Sequence, residues 1–284
     1  MKYGSGGFMA GQLNMIFSPS NFTEFFGAWN RYPQAVPFAG GTAIIRRQGR
    51  QILELPPVIL SLEKLDEMRR INRSERYMEI GAAVNLSQII DLGKIVPDVL
   101  RRCLESIAGQ QLRNMATIGG NLCFRDGYLD SAAALMALDA QYELRNAQSS
   151  RWVAASRFSS KPGLTDRDSH ELLTRIRIPL DDWDCSVYKK FAGQAHHGKV
   201  AVFLAKTQKD ILSDIRIVCK TAVLARNKDG ESILVGKRLP LNRRIAADFI
   251  ESWKDHLSRM PDVDGISQKE LVNFIKINIH DLSE

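Results

Sequence analysis

Apolar residues fall into short runs separated by polar turns, and the spacing within the runs predicts helices and strands in alternation. Asn21 with Glu24 three residues later predicts a capped helix that stops at Arg31-Tyr32-Pro33. Residues 35–39, 57–60 and 77–81 predict short strands. Asn85 predicts the cap of a helix starting at Leu86, and Pro97 opens a longer one through Ile107. Residues 130–138 are strong helix formers and predict a buried helix packed on a sheet. Strands follow at 140–144 and 171–178, the second stopped by Pro179.

Residues 181–184 (Asp-Asp-Trp-Asp) read as a linker. Beyond it, 186–191, 200–205 and 215–225 predict a second group of strands. Asn227-Lys228-Asp229-Gly230 predicts a turn leading into a short strand at 232–235. Two helices, at 242–257 and from Ser267 onward, close the chain, with Ser267 and Glu270 as a capping box. The order predicts an α+β domain to about residue 180 and a smaller α+β domain from about 185 to 284, with residues 1–16 a loose N-terminal extension.

With 284 residues, 44% hydrophobic and 25% charged, the composition is that of a globular protein. The longest apolar runs, such as 132–138, are too short to span a bilayer, and the N-terminus has no sustained apolar core of a secretory signal. Cys103, Cys123, Cys185 and Cys219 form no CxxC pair, which argues against a disulfide framework or a resident iron–sulfur cluster and fits a reducing cytoplasm. The net charge of +7 comes from scattered basic pairs without aromatic interleaving, so it predicts attraction of an anionic cofactor or an acidic partner subunit rather than nucleic-acid binding.

Two glycine pairs carry the candidate chemistry: Ala39-Gly40-Gly41-Thr42 and Thr117-Ile118-Gly119-Gly120-Asn121. Paired glycines let main-chain N–H groups approach a ligand, and successive N–H groups make a nest for an anion. Two such turns would grip a diphosphate ligand from both sides. Other motifs fail. The stretch Gly193-Gln-Ala-His-His-Gly198-Lys199 has phosphate-loop spacing, but Val200 stands where Ser or Thr is needed to hold magnesium. No GxGxxG follows a strand, and His196 and His197 are adjacent, facing opposite sides of any strand. No metal ligand set and no catalytic residue emerges from spacing.

The two loops, with Gln111 to Leu122 (QLRNMATIGGNL), Asp130 to Leu144 (DSAAALMALDAQYEL), Leu172 to Pro179 (LLTRIRIP) and Tyr188-Lys189-Lys190-Phe191, resemble the flavin subunit of the molybdenum hydroxylases. That family includes the medium chain of carbon monoxide dehydrogenase and the flavin domain of xanthine dehydrogenase. The resemblance runs from Phe17 nearly to the end of the chain. It implies a vanillyl-alcohol-oxidase-type FAD-binding domain over 17–180, built of two α+β subdomains (about 17–72 and 73–180), followed by a smaller α+β C-terminal domain over 185–284.

The resemblance also implies the site. Phe38, Ala39, Gly40, Gly41, Thr42 and Ala43 would border FAD from the first subdomain, and Thr117, Ile118, Gly119, Gly120 and Asn121 from the second. Ile107 matches an apolar residue of the flavin pocket, Asp130 an acid that hydrogen-bonds the adenosine ribose, and Leu173 and Lys190 residues near the isoalloxazine ring. Departures from the pattern are Ala43 where an acid is usual, Asp126-Gly127 in place of Ser-Pro, and Gly193 in place of an arginine. The implied function is an FAD-binding electron-transfer subunit. It would take electrons from the iron–sulfur (2Fe-2S) clusters of a small subunit, fed by a molybdopterin-binding large subunit, and pass them to NAD or another acceptor. The alternative is a flavin-free scaffold or regulatory subunit that keeps the fold.

Overall fold

The computed structural model of the chain describes residues 15–47, 55–124, 130–158, 170–191, 198–221, 223–260 and 263–283. The departures at Asp126, Gly127 and Gly193, the His196-His197 pair and most of the expected N-terminal extension lie outside the described residues.

The chain opens with β1 (Met15–Phe17), α1 (Phe22–Arg31), β2 (Val36–Phe38), α2 (Thr42–Arg47) and β3 (Val58–Ser61). Asn21 caps α1, its Oδ1 accepting from the Glu24 N–H at 2.9 Å. The apolar face of α1 then buries Phe22, Phe25, Phe26 and Trp29, each worth about 1.5–3 kcal/mol on full burial. The three strands form a parallel sheet in the order β1-β3-β2. Met15 and Ile16 pair with Val58 and Ile59, so these two residues belong to the sheet and not to an extension. Three residues are too short a run for periodicity to announce.

Next come β4 (Ile71–Arg73), β5 (Tyr77–Gly81), α3 (Leu86–Asp91), α4 (Asp98–Glu105), α5 (Gln110–Arg113), α6 (Ile118–Cys123), α7 (Asp130–Ala137), β6 (Gln141–Arg145), β7 (Ser150–Ala154), α8 (Ala155–Phe158) and β8 (Leu172–Pro179). Asn85 and Gln88 form the expected capping box of α3. The five strands make an antiparallel sheet in the order β4-β5-β8-β6-β7. Pairing of β4 with β5 puts residues 71–72 with this second sheet rather than with the first. Every residue of α7 is buried, as expected of a helix apolar on all sides.

The last part comprises β9 (Cys185–Phe191), β10 (Lys199–Gln208), β11 (Ile211–Lys220), β12 (Leu224–Ala225), α9 (Lys228–Leu234), α10 (Arg243–Ser258) and α11 (Gly265–Asp281). Its sheet is antiparallel, in the order β12-β11-β10-β9. The unbroken apolar run of β10 has a physical reason: both of its faces are covered. Val200, Val202 and Leu204 join the core shared with α4 and α7, while Ala201, Phe203 and Ala205 join a second core with α10 and α11. Lys209 and Asp210, both at positive φ, close the β10–β11 hairpin.

Two local expectations are corrected. Residues 232–235 are not a strand: Asn227 caps α9, its Oδ1 accepting from the Gly230 N–H, and Glu231 in α9 accepts from the Ile217 N–H of β11. The cap of α11 is Asp264, which accepts from the Ser267 N–H at 2.6 Å, while Glu270 instead pairs with Lys199. Among the described residues no helix is long and apolar enough to cross a membrane.

Buried Tyr142 packs edge-on to Phe158 with ring centroids 5.0 Å apart, yet its hydroxyl has no hydrogen-bond partner among the described residues. Tyr142→Phe keeps the ring and deletes the desolvated orphan, so it should raise the unfolding free energy by about 0.5–2 kcal/mol. Urea denaturation measures this, and a clear loss of stability would contradict it.

Candidate functional site

A cavity of about 470 Å³ opens where the two glycine loops meet. The first loop leaves the carboxyl end of β2 and turns into α2, the place where a parallel sheet offers a crevice for a ligand. Its glycines are required by contact. A Cβ on Gly40 would lie 1.8 Å from the Met115 carbonyl oxygen, so this loop rests directly on the chain just ahead of Thr117. Gly41 takes φ +67°, and a Cβ there would fall 2.4 Å from the Phe38 ring.

The second loop is held by the segment between β5 and α3. The N–H groups of Ile118 and Gly119 donate to the carbonyls of Val84 and Ala82, at 3.0 and 2.8 Å. Gly119 packs so closely that a Cβ would stand 2.7 Å from the Ala82 carbonyl oxygen. Thr117 caps α6 by accepting from the Gly120 N–H at 3.1 Å, and the Asn121 N–H donates to the Thr117 carbonyl at 2.9 Å.

The loops therefore differ in what they offer. The second one spends its main-chain donors from Ile118 to Asn121 within the protein, contrary to the expected pair of matching anion nests. In the first, the N–H groups of Gly40, Gly41, Thr42, Ala43 and Ile44 donate to no described residue, as the start of a helix leaves them. Their residues all line the cavity.

The cavity gathers Phe38, Ala39, Gly40, Gly41, Thr42 and Ala43 on one side. Thr117, Gly120 and Asn121 also line it, as do Ile107, Asp130 and Lys190. Three expected residues are not on the wall. Ile118 and Gly119, the first residues of α6, are buried against the segment between β5 and α3, and Leu173 is buried in β8, paired with Leu144. Asn121 acts through its side chain, whose Oδ1 accepts from the Ser131 hydroxyl at 2.5 Å and ties α6 to α7.

Asp130 is more engaged than the resemblance implies. Its Oδ2 accepts from Lys190 Nζ at 2.7 Å and its Oδ1 from Lys220 Nζ at 2.8 Å. Burial opposes its ionisation, but the Lys220 ammonium and then Lys190 outweigh this and hold the carboxyl below its ordinary range.

Two residues escaped notice in the sequence. Arg113 lines the cavity, and its Nη1 donates to the carbonyls of Glu105, Ile107 and Ala108 at 3.0, 3.1 and 2.6 Å. It thereby fixes the turn that carries Ile107, where Ala108 has φ 48°. The Ala108-Gly109 pair after a helix was the available signal. Lys220, at the end of an apolar strand, gave none.

The family described as the FAD binding domain in molybdopterin dehydrogenase matches residues 10–181. The glyceraldehyde dehydrogenase medium chain of Sulfolobus acidocaldarius is 32% identical over 247 residues, covering 84% of this chain and 87% of that one. The nicotinate dehydrogenase FAD-subunit of Eubacterium barkeri is 24% identical over 283 residues, covering 92% and 95%. A chain of the reconstituted CO dehydrogenase from Oligotropha carboxidovorans shares the fold, with a TM-score of 0.79 at 20% identity and coverage of 95% and 96%. The chain thus belongs to the family of FAD-binding domains of molybdopterin dehydrogenases, oxidoreductase components whose cofactor is FAD.

Proposed function

We propose that FAD lies in the cavity between the glycine loops, with its diphosphate on the N–H groups of Gly40 to Ile44. The observation that carries this reading is the run of N–H groups that donate to no described residue, beside a cavity bounded by Thr117, Gly120 and Asn121. Such donors at a helix start favour an anion. Gly40 and Gly41 let the first loop pack against the Met115 carbonyl and the Phe38 ring while its N–H groups stay at the cavity, Ile107 offers an apolar wall, and Lys190 adds positive charge. When bound, FAD supplies the hydride and single-electron chemistry; the chain binds, orients and tunes it.

The architecture we infer is of the vanillyl-alcohol-oxidase type. One subdomain is centred on the parallel sheet and a second on the five-stranded sheet, and a C-terminal domain over 185–284 follows. In this reading the protein works in the cytoplasm as the medium subunit of a larger complex. A small subunit with 2Fe-2S clusters and a large molybdopterin subunit stand on its donor side, and NAD or another acceptor on the other. The medium-chain and FAD-subunit names of its relatives support a multi-subunit assembly.

Purified protein incubated with excess FAD and desalted should retain a stoichiometric flavin absorbance. A folded protein with none would favour the scaffold reading.

The glycines separate packing from ligand contact. Gly119→Ala drives a methyl into the Ala82 main chain and should cost about 1–3 kcal/mol in denaturant unfolding. Among the described residues a Cβ at Gly120 meets only the Thr117 hydroxyl, at 2.9 Å. Gly120→Val should therefore melt within a few degrees of wild type while weakening FAD binding about tenfold or more. Equal FAD affinity in that variant would remove the second loop from the site.

A further inference from the structure

Three charged side chains converge at the cavity wall, Asp130 and Lys190 on it and Lys220 behind it. Asp130 opens α7 and Lys220 ends β11, at 8% and 3% exposure, whereas the Lys190 side chain on β9 is 36% exposed. Lys220 Nζ also donates to the Gly198 carbonyl, and Lys190 Nζ to the Ser106 carbonyl, both at 3.2 Å. The two other described groups in electrostatic contact with Asp130, a thiol and a phenol, are neutral. Burial pushes the Cys103 thiol up to about 12, and it also raises the Tyr188 phenol, which is hydrogen-bonded to Ser106. Two cations against one anion leave the cluster with a surplus positive charge.

The two lysines are not equivalent. Lys220 is no part of the cavity wall, and its buried ammonium would lose its counter-charge if it left Asp130. Lys190 lines the cavity and is partly solvated, so it can leave the carboxylate at little cost while another cation stays. We propose that Lys220 is a positioning residue: it holds Asp130 from the buried side and so frees Lys190 to turn toward an anionic group of FAD. The inference rests on the placement of FAD in this cavity. Without Lys220, Asp130 keeps Lys190 for itself and the cavity loses its surplus charge.

The test compares full-length wild type with Lys190→Met, Lys220→Met, Lys220→Gln and the double variant Asp130→Asn/Lys220→Met. FAD affinity is read by flavin fluorescence and folding by thermal melting. Lys190→Met and Lys220→Met should each raise Kd about tenfold, the scale of one charge-assisted contact. Lys220→Gln, which keeps polar contact without charge, should follow Lys220→Met and serves if the methionine variant melts too low to assay. The double variant releases Lys190 again and should bind FAD several-fold tighter than Lys220→Met. Wild-type affinity should fall with added salt, and Lys220→Met should lose most of that sensitivity, which a packing defect would leave in place. Both Lys220 variants binding like wild type, or a double variant no tighter than Lys220→Met, overturns the inference alone. Wild type that binds no FAD overturns the proposed site and the inference with it.

Discussion

Helix α7 is the member on which the other parts lean, because it is buried on every side and gripped at both ends by basic side chains of the last sheet. At its start, Asp130 accepts from Lys190 and Lys220. At its end, Arg216 donates to the Ala137 carbonyl at 3.1 Å, and Arg216 and Arg226 both pair with Asp139, which follows the helix at φ 51°. Cations at the carboxyl end suit the helix dipole, and a short acidic side chain tolerates the left-handed turn. An apolar helix alone would fix depth but not register. The charged ends fix register, and with it the position of the cavity wall that Asp130 helps to form.

That arrangement makes the site a product of three sheets. The parallel sheet brings unspent N–H groups through α2. The second sheet brings the Thr117–Asn121 loop, immobilised because its donors are used on Val84, Ala82 and Thr117. The last sheet brings positive charge through β9 and β11. An anion entering the cavity meets flexible lysine charge on one side and fixed main-chain dipoles on another. Fixed donors cost little reorganisation on binding, while a mobile ammonium can adapt to where charge sits.

Much of this was legible before any coordinates, and what was illegible has a common cause. Asn21 and Asn85 announce helix starts because the cap bond is local. The residues of β10 announce a strand because two cores cover it. Asn227-Lys228-Asp229-Gly230 misleads because the same residues suit a hairpin turn and a helix cap. What decides is the Glu231 carboxylate on the Ile217 N–H, a contact from a neighbouring strand. Likewise both glycine loops stand out in the sequence, and residues of both line one cavity. Whether their N–H groups are free depends on Ala82 and Val84, which lie far off in the chain. Lys220 gives no signal in the sequence until β11 is seen to end against α7.

The paired glycines acquire a division of labour from these contacts. In each pair the first glycine is a packing position: Gly40 lies against the Met115 carbonyl and Gly119 against Ala82. The second is the one whose side-chain space is not claimed by another main chain: Gly41 is bordered by the Phe38 ring, Gly120 by a lone hydroxyl. One methyl group at a first position would push two backbones apart, and at Gly40 these are the first loop and the chain that leads into the second. The distance between the loops, and so the width of the cavity, is set by the absence of that methyl.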